Sequence, residues 1–420
     1  MGVALGRFAL AGGDSASPAP IRPAGGGAQV AIADLQARLG LMPDDPVLLA
    51  RLGEAYLLRA RETADPSWFT KAAQALDRSN TLAPDRPATL TGLGLLALSR
   101  HDFSVALDLG RRAHELDPAS PQPLGVVVDA QVELGRYADA TETAQKMLDR
   151  RPSLASLSRA SYLRELNGDV PGAITAMTQA AIAGAGSTSD VAYVETLMGD
   201  LHQGAGSLPE AEAAYRRALA RAGSPAAEVG LARVAAARGD LAAAAAQLEE
   251  VTTRLPQPAW LALLGDVYSA LGRAADAATQ YDLVRQVEAL NRANGVAVDL
   301  DLARFEADHA RDPGADAGAA VAMARSAQAV QPTVFADDTL GWALRQAGRP
   351  GEALPHAQAA VRLGTADALL WYHLAAVEAD LGRVDDARSH LSRALSTNPH
   401  LAVRDLPAAR DLAARLGLAA

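Results

Sequence analysis

The side chains best suited to chemistry in this 420-residue sequence are its histidines and the polar groups beside them. Asp308-His309 and Tyr372-His373 each set an imidazole next to a second polar side chain, as proton transfer or metal ligation requires. The eight histidines are otherwise scattered, and no His-Glu-x-x-His pair puts two imidazoles on one helical face. Solvent-facing or packing roles suit such isolated histidines better than ligation does. Cysteine is absent, which excludes a disulfide framework, a thiolate zinc site, a cysteine nucleophile and a lipid-modified cysteine within this sequence. Gly25-Gly26-Gly27 opens no strand–loop–helix pattern of a phosphate loop, and Gly92-Leu93-Gly94 belongs to a longer periodic segment. No catalytic constellation, cofactor site or metal site emerges, so the sequence predicts a protein that is not an enzyme.

The elements that position these residues come from an alanine-dominated composition. Hydrophobic residues make up 49% of the chain but aromatics only 4%, so the core must be built from many close helix contacts. Charged residues at 21% are a globular share, which excludes wholesale disorder. The formal net charge of −10 argues against a general nucleic-acid binder, which needs a basic face. Lysine occurs twice, at Lys71 and Lys146, a skew towards arginine that carries no functional signal.

Internal repetition sets the architecture. Pro84, Pro118 and Pro152 are 34 residues apart, and aligning on them brings other positions into phase. Leu49, Leu90 and Leu124 each follow a proline by six residues, and then come Leu52-Gly53, Leu93-Gly94 and Val127-Val128. Ala106 and Ala140 lie twelve residues beyond the small position, and Ala113 and Met147 seven further. The Pro43 to Pro84 interval is 41, a seven-residue insertion that leaves the phase intact. The pattern returns at Met198-Gly199, Leu231-Ala232, Leu264-Gly265, Leu340-Gly341 and Leu374-Ala375. Each unit holds two stretches of helical periodicity around a glycine turn, such as Leu134-Gly135-Arg136 or Leu271-Gly272-Arg273. Proline closes the second helix because it cannot continue the hydrogen-bond ladder. Small residues let the helices approach, so Ala106→Leu or Ala113→Leu should cost about 1–3 kcal/mol by overpacking.

These phased positions, over residues 30 to 400, resemble the tetratricopeptide repeat (TPR) family. The resemblance implies an all-α, right-handed superhelical solenoid of about ten helix–turn–helix units. Irregular units are expected near 155–190 and 285–332. In the second of these the helix after Tyr281 runs on through Leu290, Asn294-Gly295 breaks it, and a helix follows from Asp299 to Arg311. The solenoid is assigned to 29–405, and an amphipathic helix within 406–420 caps it. Stacking separates His309 from His373 by two repeats, too far for one metal site. Residues 1–28 combine a short apolar stretch broken by Arg7 with a Pro/Gly/Ala/Ser run. They read either as a disordered terminus or as the remnant of an anchor whose upstream part is missing. Localisation is therefore open between the cytoplasm and an extracytoplasmic tethered state; no run in the repeat body is long enough to insert in a membrane. The stretches around Phe305, Ala336–Leu344 and Arg362–Thr365 resemble bacterial TPR proteins that are exported or membrane-associated.

The family's first helices line the inside of the superhelix, and the resemblance carries that register onto a set of groove-facing candidates. These are Glu54, Asp129, Glu133, Arg159, Asn167, Tyr193, Asp200, Arg233, Asp266, Asp338, Trp342, Arg345, Tyr372 and Asp380. Each alone is equally the mark of a solvated first-helix position. As a group they are acid-rich, with Trp342 and Tyr372 expected exposed, as anchors of a peptide interface are. The family's clamp for a C-terminal carboxylate needs basic residues and asparagine where this chain has Ala50 and Glu54, or Thr91 and Leu95. The expected partner is instead an extended or helical protein segment, neutral to basic. The expected function is a non-catalytic interaction scaffold, with an accessory subunit of an enzyme or transport complex as the alternative.

Overall fold

A computed structural model describes residues 27–296, 300–312 and 314–418. The expectation for residues 1–26 lies outside the described residues. Among the described residues there are 22 helices and no strands. They comprise an opening helix, Gly27–Leu41, ten helical hairpins from Pro46–Thr63 with Ser67–Leu82 to Ala368–Asp380 with Val384–Thr397, and a closing helix, Leu406–Arg415. The expected number of repeat units and the terminal helix are thus present.

The hairpin turns follow from local chemistry. In the turn between Leu154–Leu166 and Val170–Ala183, Gly168 sits at φ 78°, where a side chain would clash with its own backbone. Asp169 then caps the second helix by accepting a hydrogen bond from the Gly172 N–H at 2.9 Å. The second hairpin uses the same device without glycine: His101 takes φ 61° and Asp102 accepts from the Val105 N–H. Prolines open several first helices, at Pro46, Pro87, Pro225 and Pro258, where a missing N–H costs nothing.

The two members of each hairpin have different burial patterns. Some first helices are buried on almost every side: every residue of Ala368–Glu378 is buried, as is every residue of Pro123–Glu133. Second helices bury one stripe, such as Ala387, Leu391 and Ala394, and leave the rest to solvent. Ala106 and Ala113 are completely buried, as the close-packing reading requires.

The larger side chains are accommodated by glycine. The ring of Tyr215 is fully buried between Gly199 and Gly230, and a Cβ on either glycine would lie 2.4 Å from a ring carbon. Tyr281 uses Gly265 in the same way, with a hypothetical Cβ at 2.3 Å.

The irregular hairpin departs slightly from expectation. The long second helix is Ala274–Ala293, and the helix after the Asn294-Gly295 break is Leu300–Asp308, ending before the expected Arg311. The chain tightens at its end, where Ala310 N–H reaches the Ala307 carbonyl and Asp312 N–H the His309 carbonyl, so His309 sits in the turn.

The described residues form two compact units. The first takes the chain as far as Arg159 together with the stretch beginning at Ala289. The second runs from Ala160 to Glu288 and resumes at helix Leu300–Asp308.

Candidate functional site

The residues expected to face a groove are largely joined to one another, from one first helix to the next. In the first unit Arg159 donates through Nε and Nη2 to the two carboxylate oxygens of Asp129, at 2.8 and 2.7 Å. Both side chains are buried, as is Glu133. Glu54 differs from them: it is open to solvent but recessed among protein atoms, which push its carboxyl up to about 7 while Arg51 pulls it back.

The second unit carries the longer series. Arg233 pairs with Asp200, and both meet the Tyr215 hydroxyl, which donates to Asp200 at 2.8 Å. Asp266 accepts from the Tyr281 hydroxyl at 2.9 Å and lies 3.3 Å from His309 Nε2. Because the other His309 nitrogen faces the Phe305 carbonyl at 2.7 Å, Nδ1 carries a hydrogen. Two repeats further on, the His373 Nδ1 sits 2.9 Å from an Asp338 oxygen, and its ring stacks on Trp342 at 3.8 Å between centroids. Arg345 reaches Asp380 at 2.8 Å and covers the Trp342 ring. Tyr193 is half-buried, while Asn167 and Asp380 are exposed.

Two expectations require correction. Trp342 and Tyr372 are not exposed anchors; they are 5% and 3% exposed and belong to the C-terminal core. They lie on successive first helices, Val334–Gln346 and Ala368–Asp380, with their rings 5.9 Å apart between centroids in one shared core. Burial, with Asp405 nearby, pushes the Tyr372 hydroxyl up to about 12.

Around this series sits a cluster that repeat spacing did not reveal. Arg304 lies near Asp308 and Asp338, at 3.7 and 3.9 Å. Arg404 and Asp405, from the non-helical segment between Val384–Thr397 and Leu406–Arg415, enter the same region. Arg404 Nη2 contacts Asp312 at 2.6 Å, its Nε donates to the Asp308 carbonyl at 2.9 Å, and its Nη1 is 3.8 Å from Asp266. Burial beside Asp308 pushes the Asp405 carboxyl up to about 6, with His373 and Arg304 opposing. Among the described residues no three His, Cys, Asp or Glu side chains converge as a metal site. No helix of the described residues is long and apolar enough to cross a membrane.

Paired helices, left-handed turns and an inter-helix polar series define a helical-repeat solenoid protein. A family model described as tetratricopeptide repeat matches residues 128–188, 196–257, 229–289 and 339–402, just over half of the chain. The chain belongs to the tetratricopeptide repeat family, a class of protein–protein interaction scaffolds. No curated protein matches it. Similar solved structures include the anaphase-promoting-complex hetero-tetramer Cut9–Hcn1, at 17% identity over 92% of this chain and 81% of that one, TM-score 0.43. Yeast Tom70 is 14% identical over 89% of this chain and 95% of that one, TM-score 0.38. A tetratricopeptide repeat protein from Parabacteroides merdae is 17% identical over 58% of this chain and 98% of that one, TM-score 0.40.

Proposed function

We propose that this chain is a non-catalytic scaffold that holds an extended or helical protein segment, neutral to basic, in a groove lined by its first helices. The observation that carries the reading is the set of acids on four first helices of the second unit, Asp200, Asp266, Asp338 and Asp380, with Glu54 recessed but solvent-reachable in the first unit. The carboxylates among them that are exposed, Glu54 and Asp380, favour basic side chains. The mutual pairing of most of these residues assigns them a second task, fixing the register of neighbouring hairpins. Recognition then falls on the members that reach solvent.

Replacing Trp342 or Tyr372 is a poor test because both belong to the core. A photo-crosslinking side chain placed at Glu54, Asn167 or Asp380 reads the surface directly. Asn167 and Asp380, both in the second unit, should capture one common partner in cells, and Ile182, 72% exposed on a second helix, should not. Capture from Ile182 with none from Asp380 at the end of its first helix, or from Asn167 in the turn after helix Leu154–Leu166, would place recognition on the second-helix face.

A further inference from the structure

The second unit contains a non-helical stretch of its own chain, ending in a turn at Val403–Asp405, that is seated on its first helices. Asn398–Asp405 leaves the last second helix and crosses to three separate parts of the unit before Leu406–Arg415 begins. Asn398 donates through Nδ2 to the Gln203 carbonyl at 2.9 Å, bridging 195 residues of sequence. Val403 packs on the core that holds Leu264, Val267 and Phe305. Arg404 then enters a carboxylate-and-carbonyl seat: Asp312 at 2.6 Å, the Asp308 carbonyl at 2.9 Å and Asp266 at 3.8 Å. None of these contacts belongs to the 34-residue pattern, and Arg404 is only partly buried, so its seat opens to solvent.

The arrangement has the features of peptide recognition rather than of a packed linker. An aliphatic side chain and the arginine after it are read by two different features of the surface, an apolar patch and an anionic seat. A guanidinium that meets a carboxylate and a backbone carbonyl is held by charge-assisted hydrogen bonds with defined direction. The neighbouring acids, Asp266 and Asp312, give the seat a charge that a basic side chain complements.

We propose that this seat takes a partner segment presenting an aliphatic residue followed by arginine, and that Asn398–Asp405 occupies it as an internal competitor. The inference rests on the groove-binding reading above. An outside segment binds only the fraction of molecules whose own segment has lifted, so its apparent affinity falls by that fraction.

The probe is a labelled synthetic peptide with the sequence of residues 398–405, and a control peptide with alanine in place of its arginine. Both are titrated against the full chain, an Arg404→Ala chain, and an Arg404→Ala, Asp312→Asn chain, each checked by circular dichroism and thermal melting. The arginine peptide should bind the Arg404→Ala chain at least about tenfold more tightly than the wild-type chain. Its advantage over the control peptide should disappear when Asp312 is also replaced. Should Arg404→Ala perturb the fold, Asp312→Asn alone serves as the second variant: it should raise hydrogen exchange in 398–405 while weakening the peptide. Equal affinity for wild-type and Arg404→Ala chains, or for the two peptides, overturns the inference. Running the Glu54, Asn167 and Asp380 crosslinks on the same chains separates the two failures. If those crosslinks persist without any competition, only the internal-occupant inference falls; if they are lost from every chain, the groove reading itself falls.

Discussion

Breaking the Asp129–Arg159 pair tests the energetic role of the polar series. Both side chains are 5% exposed, and two charge-assisted hydrogen bonds of 2.8 and 2.7 Å join them across neighbouring first helices. Gly125 makes room for the guanidinium: a Cβ there would sit 3.1 Å from Nη2. Asp129→Ala therefore strands a charge in the protein interior, and the expected loss is about 3–5 kcal/mol. Replacing both residues with apolar ones of similar volume, Asp129→Leu with Arg159→Met, removes both desolvation penalties. That double variant should lie within about 1 kcal/mol of wild type or above it. Urea unfolding followed by circular dichroism gives the double-mutant cycle. Repeat arrays unfold in segments, so hydrogen exchange in helices Gln122–Glu133 and Leu154–Leu166 supplies the local reading. An Asp129→Ala cost below about 1 kcal/mol would refute the reasoning, because it would mean that the pair is solvated in solution.

Gly199→Ala should cost about 1–3 kcal/mol in urea unfolding by driving a methyl into the Tyr215 ring, whereas Gly40→Ala, with nothing within 4 Å, should stabilise its helix by up to about 1 kcal/mol. Trp342→Ala should cost about 3–5 kcal/mol and lower the melting temperature, the behaviour of a core residue rather than of a peptide anchor. Glu54 and Asp405 are both raised, to about 7 and about 6 from 4.5 and 3.8, so the folded state binds their protons more tightly than the unfolded chain does. Their contribution is complete below the unfolded values and is lost as pH rises through the folded ones. His114 and His202, lowered chiefly by burial, act in the opposite sense as pH falls below 6.5. The difference between wild type and Glu54→Gln isolates the glutamate: the variant should gain melting temperature relative to wild type at pH 8 and lose that gain by pH 5.

The hairpins were legible in the sequence because their determinants are local. Pro84, Pro118 and Pro152 stop second helices, Gly135 and Gly272 turn between helices, and Ala106 and Ala140 occupy the close contacts. Asp200, Asp266 and Asp338 could be placed on first helices by phase alone. Their pairing could not, because Asp266 meets His309 across an irregular interval of 43 residues, and phase does not say which neighbour satisfies a side chain. Exposure of Trp342 and Tyr372 was misjudged for a related reason: which first-helix residues become covered depends on neighbouring hairpins and on the terminal segment. Arg404 was invisible to periodicity, since it lies outside the last repeat and meets Asp308 and Asp312 more than 90 residues away.

The central claim is that partner recognition lies on the first-helix face. Hydrogen exchange of the chain alone and with its crosslink-identified partner measures this directly. New protection is expected in Pro258–Ala270 and Leu300–Asp308, with the exposed stripes of Ala274–Ala293 and Val384–Thr397 unchanged. Protection confined to those second helices, with the first helices unaltered, would contradict it.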